Sequence, residues 1–405
     1  MKLLIVSQYF WPENFRINDL AVELVDRGYD VTVLTGWPNY PSGLIFKEFS
    51  ANKKLFNNYK GIKIIRVPLV PRGVGTINLL INYLSFSVLA CVVGPWKLIG
   101  RKFDLVLTCQ LSPVTVGFVG ALVAWIKKAP MIMWVLDLWP DSLNAIGVVK
   151  SPKLLACARI VVRLIYNQCD LLLVQSRWFI PKIRLILKKP VPIVYFPSWS
   201  EIIINNKIIK PAPEVSTNEG FFNVMFAGNV GEAQDFFCIL SAADLLRNNK
   251  HIRFLIVGNG RMYLKVQAEI KLRNLSASVV LLGLYPLERM PEFFAHADAF
   301  LVTLLDREIF SMTIPGKIQS YLAAGKPILG ALNGEGAEII RLANAGLTCS
   351  AGDFKGLANI VLRMSMLSSF ERQVLGENGF RYSEREFNRC KLVDLLESCF
   401  LNYTK

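Results

Sequence analysis

Short apolar runs alternate along the chain with longer stretches whose apolar residues recur at helical spacing. The runs predict strands at Lys2 to Ser7, Val31 to Thr35, Ile62 to Val67, Leu105 to Thr108, Met131 to Leu136 and Leu171 to Val174. Their near-continuous apolar character marks strands covered on both faces, and such strands separated by helices predict an α/β fold built on a doubly wound parallel sheet. From Phe196 to Gly220 the pattern breaks into Phe-Pro-Ser-Trp-Ser, a polar Asn205-Asn206-Lys207 segment and Pro211-Ala212-Pro213, which reads as an interdomain connection. A second series then opens at Val224 to Ala227 and continues at Phe254 to Val257, Val279 to Leu282, Ala299 to Leu305 and Ile328 to Ala331. The expected organisation is a first Rossmann-like domain over 1–200, a linker over 201–220, a second Rossmann-like domain over 221–380 and a C-terminal helix over 381–405 that packs back on the first domain. No repeat of 20 to 50 residues relates the halves, so their similarity is architectural.

Residues 313 to 330 carry the clearest candidate chemistry. Thr313 can cap a helix, Pro315 fits its first turn, the run from Ile318 to Ala324 keeps apolar residues on one face, and Gly325 ends it. The helix start at Pro315 to Lys317 leaves the backbone N–H groups of Gly316 and Lys317 unpaired, and with the Lys317 ammonium they suit a phosphate behind the strand Ala299 to Leu305. An ordinary helix connection that binds nothing fits this segment equally well. Two glycine turns leave neighbouring strands, Gly228-Asn229-Val230-Gly231 and Gly258-Asn259-Gly260-Arg261, and each permits close backbone approach. All three features fall at the carboxyl edge of one sheet, the usual ligand crevice of such folds.

Composition adds a membrane to the picture. Hydrophobic residues make up 53% of the chain and charged ones 19%, which excludes disorder. The apolar stretch Ile77 to Ile99 is interrupted by Asn78, Asn82, Ser85, Ser87, Gly94, Pro95 and Lys97, and reads as a buried or surface-dipping helix rather than a span. Net charge is +15, and residues 1–200 hold 24 Lys plus Arg against 10 Asp plus Glu. Lys97, Arg101 and Lys102, the Lys127-Lys128 pair, and nine cations from Lys150 to Lys189 account for most of that excess, which suits an anionic membrane surface or a phosphorylated lipid. Cations that merely solvate helix faces remain the alternative. No zinc finger, helix-turn-helix or RNA-recognition pattern accompanies the charge, so a nucleic-acid partner is not expected. The eight cysteines form no Cys-x-x-Cys pair and the two histidines lack a partner at ligand spacing, so no metal site is expected. The opening Met1 to Ser7 is expected to be a first strand, not a targeting signal.

Several motifs in one order carry a resemblance. Phe226-Ala227-Gly228-Asn229, Leu255 to Gly260, Leu282-Gly283-Leu284-Tyr285, Met290 to Asp298 and Ala323-Ala324-Gly325-Lys326-Pro327 resemble the donor-binding domain of family 4 glycosyltransferases of the GT-B fold, two Rossmann-like domains facing a central cleft. Ser7 to Glu13, Arg27 to Thr35 and Trp134 to Ser142 resemble the subgroup that assembles bacterial O-antigen, colanic acid and capsule and includes L-fucosamine transferases. The resemblance implies retaining, metal-independent transfer of a sugar, N-acetyl-L-fucosamine on UDP, to a polyprenyl-diphosphate-linked saccharide on the cytoplasmic face of the inner membrane. It needs no cofactor beyond the nucleotide-sugar co-substrate.

The resemblance also implies site residues and exposes departures. The Arg and Lys that relatives place after the first glycine fall here on Asn229 and Gln234, and their glutamate pair falls on Met312 and Ser320. Lys317 is then the leading partner of the diphosphate, with Pro315 and Gly316 at the helix start and Arg261 behind it. Gly228, Asn259 and Leu284 line the donor, Glu308 takes a sugar contact and Ser320 reaches the ribose. The acceptor half has no histidine, so Asp137 stands in as the polar group at the reaction centre, while Asn14 and Arg16 face the acceptor, Arg16 suiting its phosphate. Asp137 as a helix cap and Arg16 as a solvated surface cation are the plain alternatives. A nucleotide-sugar 2-epimerase of the same fold, or a membrane-docked assembly partner without activity, also stays open.

Overall fold

The computed structural model describes residues 1–73, 75–145, 151–200, 209–216 and 220–404, and structural counts are of these. Most of the expected linker, 201–208 and 217–219, lies outside the described residues, as do Asn205, Asn206, Lys207 and Lys150. The first sheet comprises β1 (Lys2–Val6), β2 (Asp30–Gly36), β3 (Asn58–Tyr59), β4 (Ile62–Val67), β5 (Leu105–Gln110), β6 (Met131–Val135), β7 (Leu171–Val174) and β8 (Ile193–Tyr195). Its order is β3-β4-β2-β1-β5-β6-β7-β8, parallel throughout except for the β3 hairpin strand. The second sheet comprises β9 (Phe222–Ala227), β10 (Ile252–Val257), β11 (Val279–Gly283), β12 (Ala299–Thr303), β13 (Ile328–Ala331) and β14 (Gly346–Cys349), in the order β11-β10-β9-β12-β13-β14, all parallel. Both sheets therefore reverse direction at one point, between β1 and β5 and between β9 and β12, where open α/β sheets leave a crevice at the strand carboxyl ends.

The chain divides into a unit of Met1–Pro197 with Cys390–Lys405 and a unit of Ser198–Arg389. The helix Ser369–Glu386 stays with the second unit, so the segment that joins the first begins at Cys390 and not at 381. There the helix Arg389–Tyr403 is held by Arg27, whose guanidinium pairs with Asp394 at 2.5 Å and Glu397 at 2.7 Å, and by Phe400 against Tyr29.

Each sheet is buried by helices on both faces, which is why its strands lack polar alternation. Every residue of β5, β6 and β7 is buried, with Trp134 and Tyr166 among the largest wholly enclosed side chains. In the second unit Phe226, Phe236, Phe254 and Ile256 form the corresponding core. Strands β3, β8 and β14 escape the sequence pattern because they are edge strands, short and only partly covered. The Ile77 to Ile99 stretch forms a helix, Thr76–Lys97, long and apolar enough to cross a membrane, with a mean hydropathy of 1.9 and a third of its most apolar window buried. It packs on β2, β4 and a neighbouring helix, so it is part of the fold's outer layer.

Candidate active site

The switch point of the second sheet is built by two glycine turns and one lysine. Gly228 follows β9 and donates its N–H to Val257 O at 2.8 Å; Gly258 follows β10 and donates to Gly283 O at 2.7 Å. The two turns lie so close that a Cβ on Gly258, which has φ +143°, would fall 1.8 Å from Gly228 O. Only glycine tolerates that backbone and that approach. Across the switch point the turn Glu232–Gln234 is tied to the end of β12: Leu305 N donates to Ala233 O at 3.0 Å, and the Thr303 hydroxyl donates to Gln234 O.

Lys317 enters this frame from the second residue of the helix Gly316–Ala323. Its Cε lies 2.7 Å from where a Gly228 Cβ would be, so glycine at 228 leaves room for the lysine stem. Nζ donates to Gln234 Oε1 at 2.5 Å and stands 4.2 Å over the Phe226 ring. Burial pushes the ammonium pKa down from 10.5 to about 7, because the charged form loses its water. Pro315 is the residue before the first helical turn rather than within it, and no side chain caps this helix. Thr313, expected as the cap, instead donates its hydroxyl to Ile309 O at 2.8 Å. The first N–H groups of the helix thus point outward beside a cation, an arrangement that favours an anion.

The other expected donor residues divide. Gly228, Gln234, Pro315, Gly316 and Lys317 come together. Asn229 and Asn259 share the glycine turns, where Val230 N donates to Asn259 O at 2.9 Å and Asn259 Oδ1 accepts the Gly260 N–H at 2.7 Å. Ser320 is buried, its Oγ 3.4 Å from Ser200 Oγ. Arg261 and Leu284 are exposed beyond their strand ends, and Glu308 is exposed at the start of the short helix Glu308–Ser311.

In the first unit a polar cluster occupies the carboxyl ends of β1, β2, β5 and β6. Asp137 is partly buried just past β6, and its Oδ2 accepts the Trp139 indole N–H at 3.2 Å. Burial raises its carboxyl to about 6, partly opposed by hydrogen bonds from Ser142, Trp139 and Ser112. Gln110 Nε2 donates to Asp137 O at 2.7 Å and fixes the backbone there. Asn14 is exposed, and Arg16 opens the helix Arg16–Asp26 instead of lying in a loop.

Glu13 was not among the expected site residues, yet it organises this end of the unit. It is 2% exposed, its Oε1 accepts the N–H groups of Asn39 at 2.8 Å and Tyr40 at 2.7 Å, and burial raises its carboxyl to about 7. Buried Arg66 ties the same loops by donating to Gly36 O at 2.9 Å and to Trp11 O. Gln8 Nε2 donates to Asn82 Oδ1 at 2.8 Å, which links β1 to the Thr76–Lys97 helix. The signal available in the sequence was one carboxylate set inside an aromatic run, Tyr9-Phe10-Trp11-Pro12-Glu13. Among the described residues no three His, Cys, Asp or Glu side chains stand together as metal ligands.

Comparison with known proteins places this geometry. The model for glycosyl transferases group 1 matches residues 222–366, and that for the glycosyl transferase 4-like domain matches residues 14–199. The chain belongs to the family 4 glycosyltransferases. It is 28% identical over 319 residues to WbjE of Pseudomonas aeruginosa, named a probable glycosyltransferase, covering 74% of this chain and 76% of that one. It is 25% identical over 346 residues to WcaI of Escherichia coli K12, whose name assigns it to colanic acid biosynthesis as a glycosyl transferase, covering 80% and 82%. Among solved structures, sucrose-phosphate synthase of Thermosynechococcus elongatus superposes with a TM-score of 0.73 at 15% identity over 99% and 98% of the two chains. WaaG, a glycosyltransferase of lipopolysaccharide biosynthesis, superposes with a TM-score of 0.65 at 15% identity over both whole chains. The fold is GT-B.

Proposed function

We propose that this glycosyltransferase moves N-acetyl-L-fucosamine from its UDP donor to a polyprenyl-diphosphate-linked saccharide during assembly of a bacterial surface polysaccharide. The observation that carries the reading is Lys317, a cation with no carboxylate partner among the described residues, held between Phe226 and Gln234 beside an uncapped helix start at the switch point of the second sheet. The names of WbjE, WcaI and WaaG support polysaccharide assembly, and HepE of Anabaena, solved with UDP-glucose at a TM-score of 0.66, supports a uridine donor.

Charge bookkeeping gives the mechanism. As the anomeric C–O bond breaks, negative charge grows on the leaving diphosphate, and the Lys317 ammonium with the N–H groups of Gly316 and Lys317 stabilises it. This is how the domain works without a metal ion. Asn229 and Asn259 supply neutral donors along the glycine turns, and Ser320 hydrogen-bonds the ribose. In the acceptor domain the Asp137 carboxylate stabilises positive charge at the anomeric carbon or accepts from a donor hydroxyl, and the configuration there is retained. Asn14 and Arg16 receive the acceptor, Arg16 pairing with its phosphate. The enzyme works from the cytoplasmic face of the inner membrane, where such an acceptor resides.

The test is purified protein with UDP-N-acetyl-L-fucosamine and a polyprenyl-diphosphate-linked saccharide. Mass spectrometry of the lipid product and NMR of its new linkage read sugar, acceptor and anomer separately. Turnover with a different nucleotide sugar only would overturn the sugar assignment, and failure to turn over any nucleotide sugar would overturn the assignment of activity.

A further inference from the structure

We propose that the outer face of the helix layer on the first unit inserts into a lipid bilayer. The Thr76–Lys97 helix holds no charged residue before Lys97. Asn82, Tyr83, Phe86, Ala90 and Gly94 turn inward and are buried. On the outer side Ile77, Ile81, Leu84, Val88, Val92 and Trp96 recur at steps of three or four residues, and each is between 43% and 74% exposed. A helix on a water-facing surface carries polar residues on that side, whereas from Ile81 to Trp96 every exposed residue of this one is apolar. The stripe does not end with one helix. Val116–Lys127 packs alongside and adds exposed Phe118 and Trp125, and Pro152–Tyr166 packs against that helix and adds exposed Leu154, Ile160 and Leu164. Large apolar side chains exposed on three adjoining helices mark an interaction surface.

Charge complementarity selects the occupant. Where the first two helices end, Lys97, Arg101, Lys102, Lys127 and Lys128 gather, and Lys127 Nζ donates to Leu98 O at 2.7 Å, which sets the helix ends side by side. From residue 49 to residue 136 the one acidic residue is Asp104, and its carboxylate accepts the Lys2 N–H at 2.7 Å. Trp96 and Trp125, 72% and 78% exposed, stand next to the cations at that end of the stripe. Aliphatic side chains, then indoles, then cations is the order in which a bilayer interface is met from its hydrocarbon outward, with anionic headgroups opposite the cations. A second copy packed through the same face would bring the same cations to that end.

The insertion stands on this surface alone, but it deepens the lipid-linked acceptor reading. Asn82, on the inner side of the same helix, meets Gln8 just past β1, so the helix whose outer side is embedded packs with its inner side on the polar cluster of the first unit.

The experiment uses the full chain with vesicles of phosphatidylcholine, with and without phosphatidylglycerol, and no sugar substrate, so its failure leaves the transferase reading standing. The protein should sediment with the anionic vesicles, its tryptophan emission should shift to the blue, and lipids brominated on their acyl chains should quench it. The variant I81S/V88S/V92S alters only exposed positions and should lose partitioning by at least about tenfold. Trp125→Ala on the neighbouring helix should weaken quenching. K97Q/R101Q/K102Q should weaken binding at low salt while the bound fraction stays quenched. Absence of binding to either vesicle overturns the proposal. So does equal binding of the serine variant without quenching, which would mean surface electrostatics only. Lipid-free self-association that the serine variant abolishes, without vesicle binding, would make the face an interface between copies and overturn it equally.

Discussion

Replacing Lys317 by methionine keeps the stem beneath Gly228 and removes the charge, so its effects on activity and on stability should have opposite signs. One charge-assisted hydrogen bond to a leaving diphosphate contributes about 1.5 to 3 kcal/mol, which corresponds to a fall in kcat/KM of about tenfold to about 150-fold. The lowered pKa adds a pH signature. In the free enzyme the ammonium titrates at about 7, so kcat/KM should decline as pH rises through that value. Bound diphosphate raises the same pKa, so kcat should hold to higher pH. Stability runs the other way. An unfolded lysine keeps its proton to about 10.5 while the folded one loses it near 7, so the unfolded state binds more protons between those values and stability rises with pH across that window. The penalty is complete below about pH 7 and gone above about pH 10.5. Its ceiling at neutral pH is about 4 kcal/mol, and residual contact with solvent reduces it. Lys317→Met should therefore melt higher than wild type at neutral pH and lose the slope. Steady-state kinetics from about pH 6 to about pH 9, with urea unfolding over the same range, read both effects. A variant within about twofold of wild type in kcat/KM, or one that keeps the falling limb near pH 7, would refute the assignment.

Asp137→Asn should lower kcat at least about tenfold with little change in donor KM, and should remove any limb of the pH profile near 6. Because the folded carboxyl keeps its proton up to about 6, past the ordinary value of 3.8, wild-type stability should fall as pH rises between those values, and the asparagine variant should not show the fall in urea titrations. Gly258→Ala places a methyl 1.8 Å from Gly228 O at φ +143°, and should cost about 2 to 4 kcal/mol of stability in urea unfolding of the full protein. Transfer should persist in EDTA and gain nothing from added Mg²⁺ or Mn²⁺; loss in EDTA with rescue by either ion would contradict the charge assignment to Lys317.

The positions of the central strands and the meeting of Gly228, Gly258 and Lys317 were legible because each depends on a local pattern: an apolar run, a glycine after it, a lysine at a helix start. The edge strands β3, β8 and β14 were not, since at two, three and four residues they are too short to show a pattern. Glu13 offered no more than its place in an aromatic run, and Arg66 nothing, for a different reason. Their roles lie in backbone partners far along the chain, Asn39, Tyr40 and Gly36, and sequence spacing carries no trace of such pairings. The apolar stretch 77–99 was legible as a helix, but only packing reveals which of its sides faces out.

In the proposed mechanism, Gln234 is what lets a single lysine serve the diphosphate. The nearest acceptor for Lys317 Nζ is a neutral amide oxygen, and the nearest ring is a π face, so the ammonium is oriented and partly stabilised without being neutralised. A carboxylate in place of the amide would hold the lysine protonated through neutral pH, yet it would cancel the field that an incoming diphosphate meets and would have to be displaced or repelled on binding. In the proposed reaction, glutamine there leaves the cost of burying the charge with the free enzyme and lets an arriving anion relieve it, which would act as differential affinity for the diphosphate and, more strongly, for the extra charge that develops as the sugar departs. The same logic requires Gly228: a side chain there would force the lysine stem off the end of β9 and away from both Gln234 and the first turn of its own helix.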